Sequence, residues 1–272
     1  MNENAAVLVI GASGFLGRTI TKRLAALNVV IPTHHSNNPF SNSVRYDFFS
    51  DNIRDLCDAF KLSAAVFAAA VETEPSEIVR PAMERFVRGC QDRRLVYLSS
   101  DAVFSGDRGM YLETDQPEPR TLYGRNLQHC EHLIAENCTN YCIIRPSYIY
   151  GFADGQLDGR LARTRASLQA GEKVMLFRDM FKSPLGVQQV AEAVIHLMFS
   201  DYAGTLHVAG ERLSVFDFHF QAMKALGVNT KGLQHNTIPE EPEFPRDTSL
   251  DASLWQSLTN KVPLSIEETL VK

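Results

Sequence analysis

The sequence has few residues that could cross-link the chain through disulfides or a metal. Its five cysteines are odd in number and scattered, with no Cys-x-x-Cys spacing. This pattern argues against both a disulfide framework and a zinc site. His129 and His132 precede Glu136, but no further ligands follow at a recognisable spacing, so no metal is expected. We expect reduced, mostly buried thiols in a cytoplasmic protein at Cys57, Cys90, Cys130, Cys138 and Cys142.

Long apolar runs are also missing. No stretch approaches about 20 uninterrupted apolar residues, and the N-terminal residues 1–4 lead into an apolar segment too short for a signal peptide. The sequence therefore predicts a protein that is neither exported nor membrane-spanning.

Basic residues are fewer than acidic ones, with 27 Lys and Arg against 32 Asp and Glu, which gives a formal net charge of −5. No overall positive field could hold a polyphosphate backbone, so nucleic acid is not an expected partner. The chain does have the apolar content of a globular protein, since 44% of its 272 residues are hydrophobic.

Short apolar runs alternate with amphipathic helical stretches over the first 150 residues. Apolar runs without polar alternation are typical of strands buried on both faces of a parallel sheet. Ile20, Leu24 and Leu27 recur at helical spacing and predict the first crossover helix. The predicted fold is a doubly wound α/β sheet. The predicted strands are residues 7–10, 29–31, 64–70, 95–98 and 141–144.

A glycine-rich loop follows the first predicted strand and opens the first predicted helix. Its glycines allow a sharp bend and a close approach of the backbone to a pyrophosphate, while the helix N-terminus offers free N–H groups. Residues 1–150 are therefore predicted to form a dinucleotide-binding domain, and residues 151–272 a smaller C-terminal lobe with some elements returning to the sheet. The loop residues expected at the cofactor are Gly11, Ser13, Gly14, Phe15, Leu16 and Gly17.

The end of the second predicted strand, residues 32–36, has no carboxylate to recognise a ribose diol. This favours NADP over NAD, although NAD stays possible because the segment has no arginine either. His34, His35 and Ser36 are candidates for the adenosine ribose or its phosphate, or are simply exposed loop residues. Asp47 could accept from the adenine amino group or cap the helix that follows.

Several further motifs resemble those of one family. The glycines recur at every third position, and the whole pattern is similar to the extended short-chain dehydrogenase/reductases. Within that family it resembles the dTDP-4-dehydrorhamnose reductases and their relative, the regulatory beta subunit of methionine adenosyltransferase. The resemblance covers nearly the whole chain; its other motifs are residues 98–106, 111–115, 119–124, 145–151, 183–184, 207–210 and 249–251.

The resemblance implies a Rossmann domain holding a nicotinamide cofactor and a C-terminal lobe closing over a nucleotide sugar. It also implies that Tyr123 donates a proton to the substrate carbonyl as hydride arrives, and that Ser100 orients the carbonyl oxygen. A homodimer or a regulatory complex is expected only by analogy. Further cofactor contacts are implied for Ala68, Ala69, Ala70, Ser99, Tyr123 and Pro146.

Two positions depart from the family pattern. Leu127 occupies the lysine position of Tyr-x-x-x-Lys, and Phe67 replaces the asparagine of Asn-Ala-Ala-Ala. Without the ammonium, the pKa of the Tyr123 phenol should stay near about 10, which slows reduction and hinders oxidation more. Arg178 or Lys182, from the other lobe, could replace the missing cation.

Two functions stay open at this point. The first is an NAD(P)-dependent oxidoreductase of atypical or slow turnover, acting on a nucleotide-linked 4-keto sugar or a related carbonyl. The second is a catalytically silent, NADP-binding regulatory or scaffold subunit. The family resemblance favours the enzyme, while Leu127 favours the silent subunit. A nucleotide-sugar epimerase or dehydratase is a lesser alternative, since it must oxidise its substrate first.

Overall fold

The computed structural model describes residues 6–27, 30–239 and 245–271. Its strands are β1 (Ala6–Ile10), β2 (Val30–His34), β3 (Val44–Arg45), β4 (Leu62–Phe67), β5 (Arg94–Leu98), β6 (Tyr141–Pro146), β7 (Ile149–Tyr150), β8 (Phe152–Ala153), β9 (Gln156–Leu157), β10 (Val174–Phe177), β11 (Phe181–Lys182), β12 (Leu185–Gly186), β13 (Gly204–Val208), β14 (Leu213–Ser214) and β15 (Leu233–Asn236). Its α-helices are α1 (Phe15–Ala25), α2 (Ile53–Ala59), α3 (Ser76–Cys90), α4 (Leu122–Asn137), α5 (Gly159–Gln169), α6 (Val187–Met198), α7 (Val215–Ala225), α8 (Ser253–Thr259) and α9 (Ile266–Leu270).

Seven parallel strands form the central sheet in the order β13-β6-β5-β4-β1-β2-β3. The chain runs outward from β1 to β3 and then returns to β4 on the other side of β1. This reversal creates the crevice at the carboxyl ends of the strands where doubly wound folds bind ligands. The predicted fold class is confirmed. All five residues of β1 are buried, which explains its uninterrupted apolar sequence.

The limits of some predicted elements were wrong. The apolar run 64–70 is a strand only as far as Phe67, because β4 pairs with β1 up to that residue and the three alanines then leave the sheet. The run 29–31 begins at a residue outside the described ones, and β2 continues to His34. Ile20 and Leu24 are buried on α1, but Leu27 lies beyond the end of the helix and is 63% exposed.

Helices cover both faces of the sheet. α1 packs against α6 on one face, whereas α3 packs between α2 and α4 on the other. The main core therefore lies on either side of β1, β4, β5 and β6, and it includes all five cysteines. These cysteines are unpaired and buried, as the sequence predicts.

Residues beyond 150 contribute to both the central sheet and a second core. β13 pairs with β6 at the edge of the sheet, and α8 packs against β13. The second core forms where α5 and α9 pack against α7. It buries Tyr148, Tyr150, Leu161, Phe218 and Met223.

Within the described residues, no helix is both long enough and apolar enough to cross a membrane. The same residues contain no group of three or more His, Cys, Asp or Glu side chains arranged to hold a metal ion.

Candidate active site

The glycine loop joins β1 to α1 by a turn that excludes larger residues. Gly11 has a φ of +81°, and a Cβ atom there would lie 2.6 Å from the backbone nitrogen of Ala69. A Cβ atom on Gly17 would lie 2.1 Å from the carbonyl oxygen of Gly11. Because glycine has no Cβ atom at these two positions, the first turn of α1 can lie against the ends of β1 and β4.

The N-terminus of α1 has the character of an anion site. Gly14 is its N-cap, and among the described residues no side chain caps the helix and no acid lies in its first turn. Its free N–H groups and its dipole therefore favour a bound anion at this end. Gly11, Ser13, Gly14 and Phe15 line the adjacent crevice, as predicted.

Leu16 and Gly17 do not line this crevice with their side chains. Leu16 packs against the main core, and Gly17 is buried where α1 meets the loop. Both residues follow the N-cap, so they would contact a bound anion only through their backbone N–H groups.

The crevice has a volume of about 420 Å³ and lies at the carboxyl ends of β1, β2 and β4. This volume is within the usual range for a small-molecule or cofactor site. The three small side chains after β4 leave the backbone open to a ligand, and the uncapped helix is ready for a diphosphate. The residues present therefore fit a dinucleotide. The lining residues include Ala68, Ala69, Ala70, Val71, Thr33, His34, His35, Tyr46, Asp47 and Phe48.

At the far end of the crevice, tertiary structure places an acid beside the histidines. Asp47 Oδ2 lies 3.6 Å from His35 Nε2. Asp47 is not the cap of α2: Asn52 caps that helix, and Asp47 Oδ1 accepts from the backbone N–H of Phe49 at 2.9 Å. Ser36 is exposed and does not line the crevice.

Arg45 is a cation at the same end that sequence analysis did not identify. The pairing of β3 with β2 sets His34 beside Arg45. Arg45 was missed because it lies outside residues 32–36 and is brought alongside them only by strand pairing.

The structure brings the two predicted catalytic residues together. Ser100 follows β5 and caps a short 3-10 turn, accepting from the N–H of Ala102 at 3.2 Å. Tyr123 lies in the first turn of α4, where Thr121 is the N-cap. The Ser100 hydroxyl lies close enough to the Tyr123 phenol to affect its pKa. The arrangement requires Gly124, because a Cβ atom there would lie 2.2 Å from the carbonyl oxygen of Ala102.

The surroundings of Tyr123 favour its neutral form. Burial raises the pKa of the phenol well above its ordinary value, and the carboxyl groups of Glu72 and Asp101 raise the pKa further. Ser100 and the charge of Arg160 act in the opposite direction. The phenol therefore carries its proton at neutral pH, so it can act as an acid but is a poor base.

Leu127 is fully buried, and an acid, Glu72, lies against its neighbour Asn126 on α4. Tyr97 donates to Glu72 Oε1 at 2.5 Å, and Asn126 Nδ2 donates to the Glu72 backbone oxygen at 2.9 Å. Burial raises the pKa of Glu72 to about 7. Sequence analysis missed Glu72 because nothing in its neighbourhood indicates that it turns inward beside α4.

Lys182, a basic residue of the second lobe, reaches Asp101 beside the catalytic pair. Its Nζ lies 2.8 Å from Asp101 Oδ2 and 2.7 Å from Thr248 Oγ1. Burial opposes ionisation of Asp101, but Lys182, Thr248 and Ser147 together hold the pKa of this carboxyl below its ordinary value.

Two predicted cofactor residues have other contacts. Ser99 donates its hydroxyl to Glu131 Oε1 at 2.5 Å, and Glu131 in turn pairs with buried Arg145. The Ser99 hydroxyl can therefore meet a cofactor only as a hydrogen-bond acceptor, and this contact stays a prediction. Pro146 ends β6, is buried and pairs with Val208 of β13.

A second cavity of about 390 Å³ lies in the C-terminal lobe. Its basic side chains are Arg160, Arg163 and Lys182, and the Arg160 guanidinium stacks 4.2 Å from the Tyr148 ring centre. Thr164 and His219 line it as well. Lys182 thus belongs both to the cluster around Asp101 and to this basic cavity.

Comparisons with known proteins agree with this geometry. The family model described as RmlD substrate binding domain matches residues 5–272. The chain is 27% identical over 267 residues to a probable low-salt glycan biosynthesis reductase of Haloferax volcanii, covering 90% of this chain and 89% of that protein. It is 24% identical over 290 residues to the methionine adenosyltransferase 2 subunit beta of Bos taurus, covering 94% and 83% respectively.

A solved structure has the same fold. The dTDP-4-dehydrorhamnose reductase of Bacillus anthracis, in complex with NADP, superposes with a TM-score of 0.83 at 20% identity, covering 98% of this chain and 97% of that one.

Proposed function

Because the chain belongs to the RmlD substrate-binding-domain family, we propose that it is an NAD(P)-dependent reductase of a nucleotide-linked 4-keto sugar. The observation that carries this proposal is that the first turn of α4, with Tyr123, packs against the turn that begins at Ser100, at the carboxyl end of β5. The proposal is supported by the similarity of this chain to a protein named as a probable reductase and to a dTDP-4-dehydrorhamnose reductase solved in complex with NADP. We place the activity in the cytoplasm, in keeping with five unpaired cysteines.

The residues of the crevice would hold the cofactor, with its diphosphate at the loop 11–15 and its adenosine end near His34 and His35. When bound, the reduced nicotinamide supplies a hydride to the carbonyl carbon. Tyr123 donates its phenolic proton to the carbonyl oxygen, and the Ser100 hydroxyl orients that oxygen. Because the phenol is protonated at neutral pH, the pair favours reduction over the reverse reaction.

The second cavity suits the anionic part of such a substrate. Arg160 and Arg163 provide positive charge, and arginine is well suited to paired hydrogen bonds with phosphate oxygens. We propose that residues 151–272 act as the substrate lobe and that this cavity takes the nucleotide diphosphate. Nucleotide sugars carry two phosphate charges next to the sugar, which matches the basic lining.

The reductase activity is tested by following NADPH absorbance with dTDP-4-dehydrorhamnose as substrate. We expect NADPH oxidation that depends on this ketone and is absent with dTDP-glucose, which has no keto group to reduce. If the natural substrate carries a base other than thymine, a panel of dTDP-, UDP- and GDP-linked 4-keto sugars extends the assay. If none of these ketones is reduced while NADPH still binds, the proposed reaction is wrong.

The cofactor preference gives a second prediction. Calorimetry should show that NADPH binds at least about tenfold more tightly than NADH, since one charge-assisted hydrogen bond contributes about 1.5–3 kcal/mol. His34, His35 and Arg45 lie at the expected position of the 2′-phosphate. Arg45→Ala should reduce the affinity for NADPH and leave that for NADH unchanged. Equal affinity for the two cofactors in the wild type would contradict the preference.

One observation favours a second candidate, a silent cofactor-binding subunit of a larger complex. Leu127 stands where the family has its catalytic lysine, and its side chain is fully buried. Under this alternative, NADPH binds without any turnover, and the tagged protein is recovered from its own cells with a partner in fixed stoichiometry. Substrate-dependent NADPH oxidation at an ordinary rate would exclude it.

A further inference from the structure

A buried charged cluster links the two lobes next to the catalytic pair. Asp101 is only 4% exposed, yet one oxygen of its carboxylate accepts from three donors that lie in three separate segments. Its Oδ2 accepts from Ser147 Oγ at 2.9 Å, from Lys182 Nζ at 2.8 Å and from Thr248 Oγ1 at 2.6 Å. The other oxygen, Oδ1, accepts from Ser100 Oγ at 3.0 Å.

Ser100 stands between this cluster and Tyr123. Its hydroxyl donates to Asp101 Oδ1 on one side, and on the other side it affects the pKa of the Tyr123 phenol. The orientation of the Ser100 hydroxyl therefore depends on the charge state of Asp101. An ionised carboxylate can only accept, whereas a protonated one can also donate.

Asp101 needs a cation to remain ionised at this depth. A buried carboxylate without a partner either takes up a proton or destabilises the fold. Lys182 is the cation in contact with it, and its side chain is 25% exposed because it also lines the basic cavity. Leu127 cannot supply positive charge from α4, so the charge near Tyr123 comes from the second lobe.

We propose that Lys182 is a positioning residue of this active site: paired with Asp101, it keeps this carboxylate ionised and so fixes the Ser100 hydroxyl, which donates to Asp101 Oδ1. The inference rests on the proposed reductase function for its kinetic consequences. In this role Lys182 acts through Asp101 and does not contact the substrate.

Kinetics of Lys182→Met, Lys182→Arg and a control form the first test. Lys182→Met should lower kcat by about 10²-fold, comparable to the loss of one preorganised electrostatic group, with little change in KM. Lys182→Arg should retain most of the activity because it keeps the charge. Lys261→Met is the matched control, since Lys261 pairs with Glu192 on the surface at 2.7 Å. A loss confined to KM would overturn the proposal and assign Lys182 to substrate binding.

A double-mutant cycle separates the two routes by which Lys182 could act. If it acts through Asp101, then Lys182→Met should change kcat by no more than about twofold in an Asp101→Asn background. If it touches the substrate, the loss should be the same in both backgrounds, and the proposal is wrong. The double variant also leaves no unpaired buried charge, so it serves if Lys182→Met alone does not fold.

A measurement without turnover keeps this inference separate from the reductase proposal. 3,5-Difluorotyrosine placed at position 123 has a more acidic phenol than tyrosine, and its titration can be followed by fluorine NMR. The groups that act on this phenol are Glu72, Asp101, Arg160 and Ser100. Lys182→Met should lower the titration midpoint by about one pH unit, because Asp101 without its partner takes up a proton and its charge no longer raises the pKa of the phenol. Lys182→Arg and Lys261→Met should leave the midpoint unchanged.

The two proposals then fail in different ways. An unchanged midpoint in Lys182→Met overturns the role of Lys182 even if the protein is an active reductase. Absence of ketone-dependent NADPH oxidation in the wild type overturns the reductase proposal, while a shifted midpoint would still support the role of Lys182.

Discussion

Tyr123→Phe should lower kcat for ketone-dependent NADPH oxidation by about 10³-fold, because it removes the proton donor and nothing else. The ring stays, so the packing of the first turn of α4 is preserved. The Ser100 hydroxyl remains, but its pKa is too high to replace the phenol as an acid. The measurement is single-substrate kinetics at saturating NADPH, with stopped-flow detection for the slow variant.

The control for this prediction is Tyr202→Phe, which makes the same chemical change away from the site. The Tyr202 hydroxyl donates to the backbone oxygen of Thr205 at 2.6 Å, at the edge strand of the sheet. This variant should keep normal kcat. NADPH should still bind to Tyr123→Phe, since the crevice that would hold the diphosphate and the adenosine is lined by other residues. If Tyr123→Phe keeps wild-type kcat, Tyr123 is not the proton donor.

Leu127→Lys should raise kcat for reduction by about tenfold or more, since a preorganised charge is worth as much as 10²–10³ in rate. Residues four apart on a helix share a face, so the new ammonium would lie near the Tyr123 phenol. It would lower the pKa of the phenol and stabilise the charge that develops as the proton leaves. The reverse oxidation should gain more than reduction, because oxidation needs the phenolate.

The substitution should also cost stability. Leu127 is fully buried, and replacing it with a charged chain removes core packing and buries an ammonium, a loss of about 2–4 kcal/mol. Glu72 is close enough to Tyr123 to act on it and could pair with the new cation. Chemical denaturation measures the cost, and Leu127→Met is the control because it keeps volume without charge. An equal gain in kcat for both variants would show that charge is not the cause.

Much of the cofactor crevice could be predicted from local sequence. The path from β1 through Gly11 to α1 is contiguous, and a strand, a glycine turn and a helix N-terminus impose their own geometry. Ser100 and Tyr123 could be predicted only from the family resemblance, since nothing in their spacing brings them together. They come together because β5 ends and α4 begins at the same edge of the sheet.

Predictions that depended on neighbours from other segments succeeded less well. Asp47 does not cap α2, and the hydroxyl of Ser99 is bonded to Glu131. Arg45 and Glu72 were not identified at all. For Ser99, Arg45 and Glu72 the deciding contact joins residues from different elements, and a single sequence does not encode such a contact as a local pattern.

The sequence by itself determined the parallel sheet, the bend that receives a diphosphate and the loss of the lysine at position 127, because these follow from apolar periodicity, glycine spacing and residue identity. Only the tertiary structure decided which charges surround Tyr123. It buried Glu72 beside α4 and brought Lys182 from the second lobe to Asp101. Electrostatic interactions depend on distance and burial, and both are set by packing between distant segments.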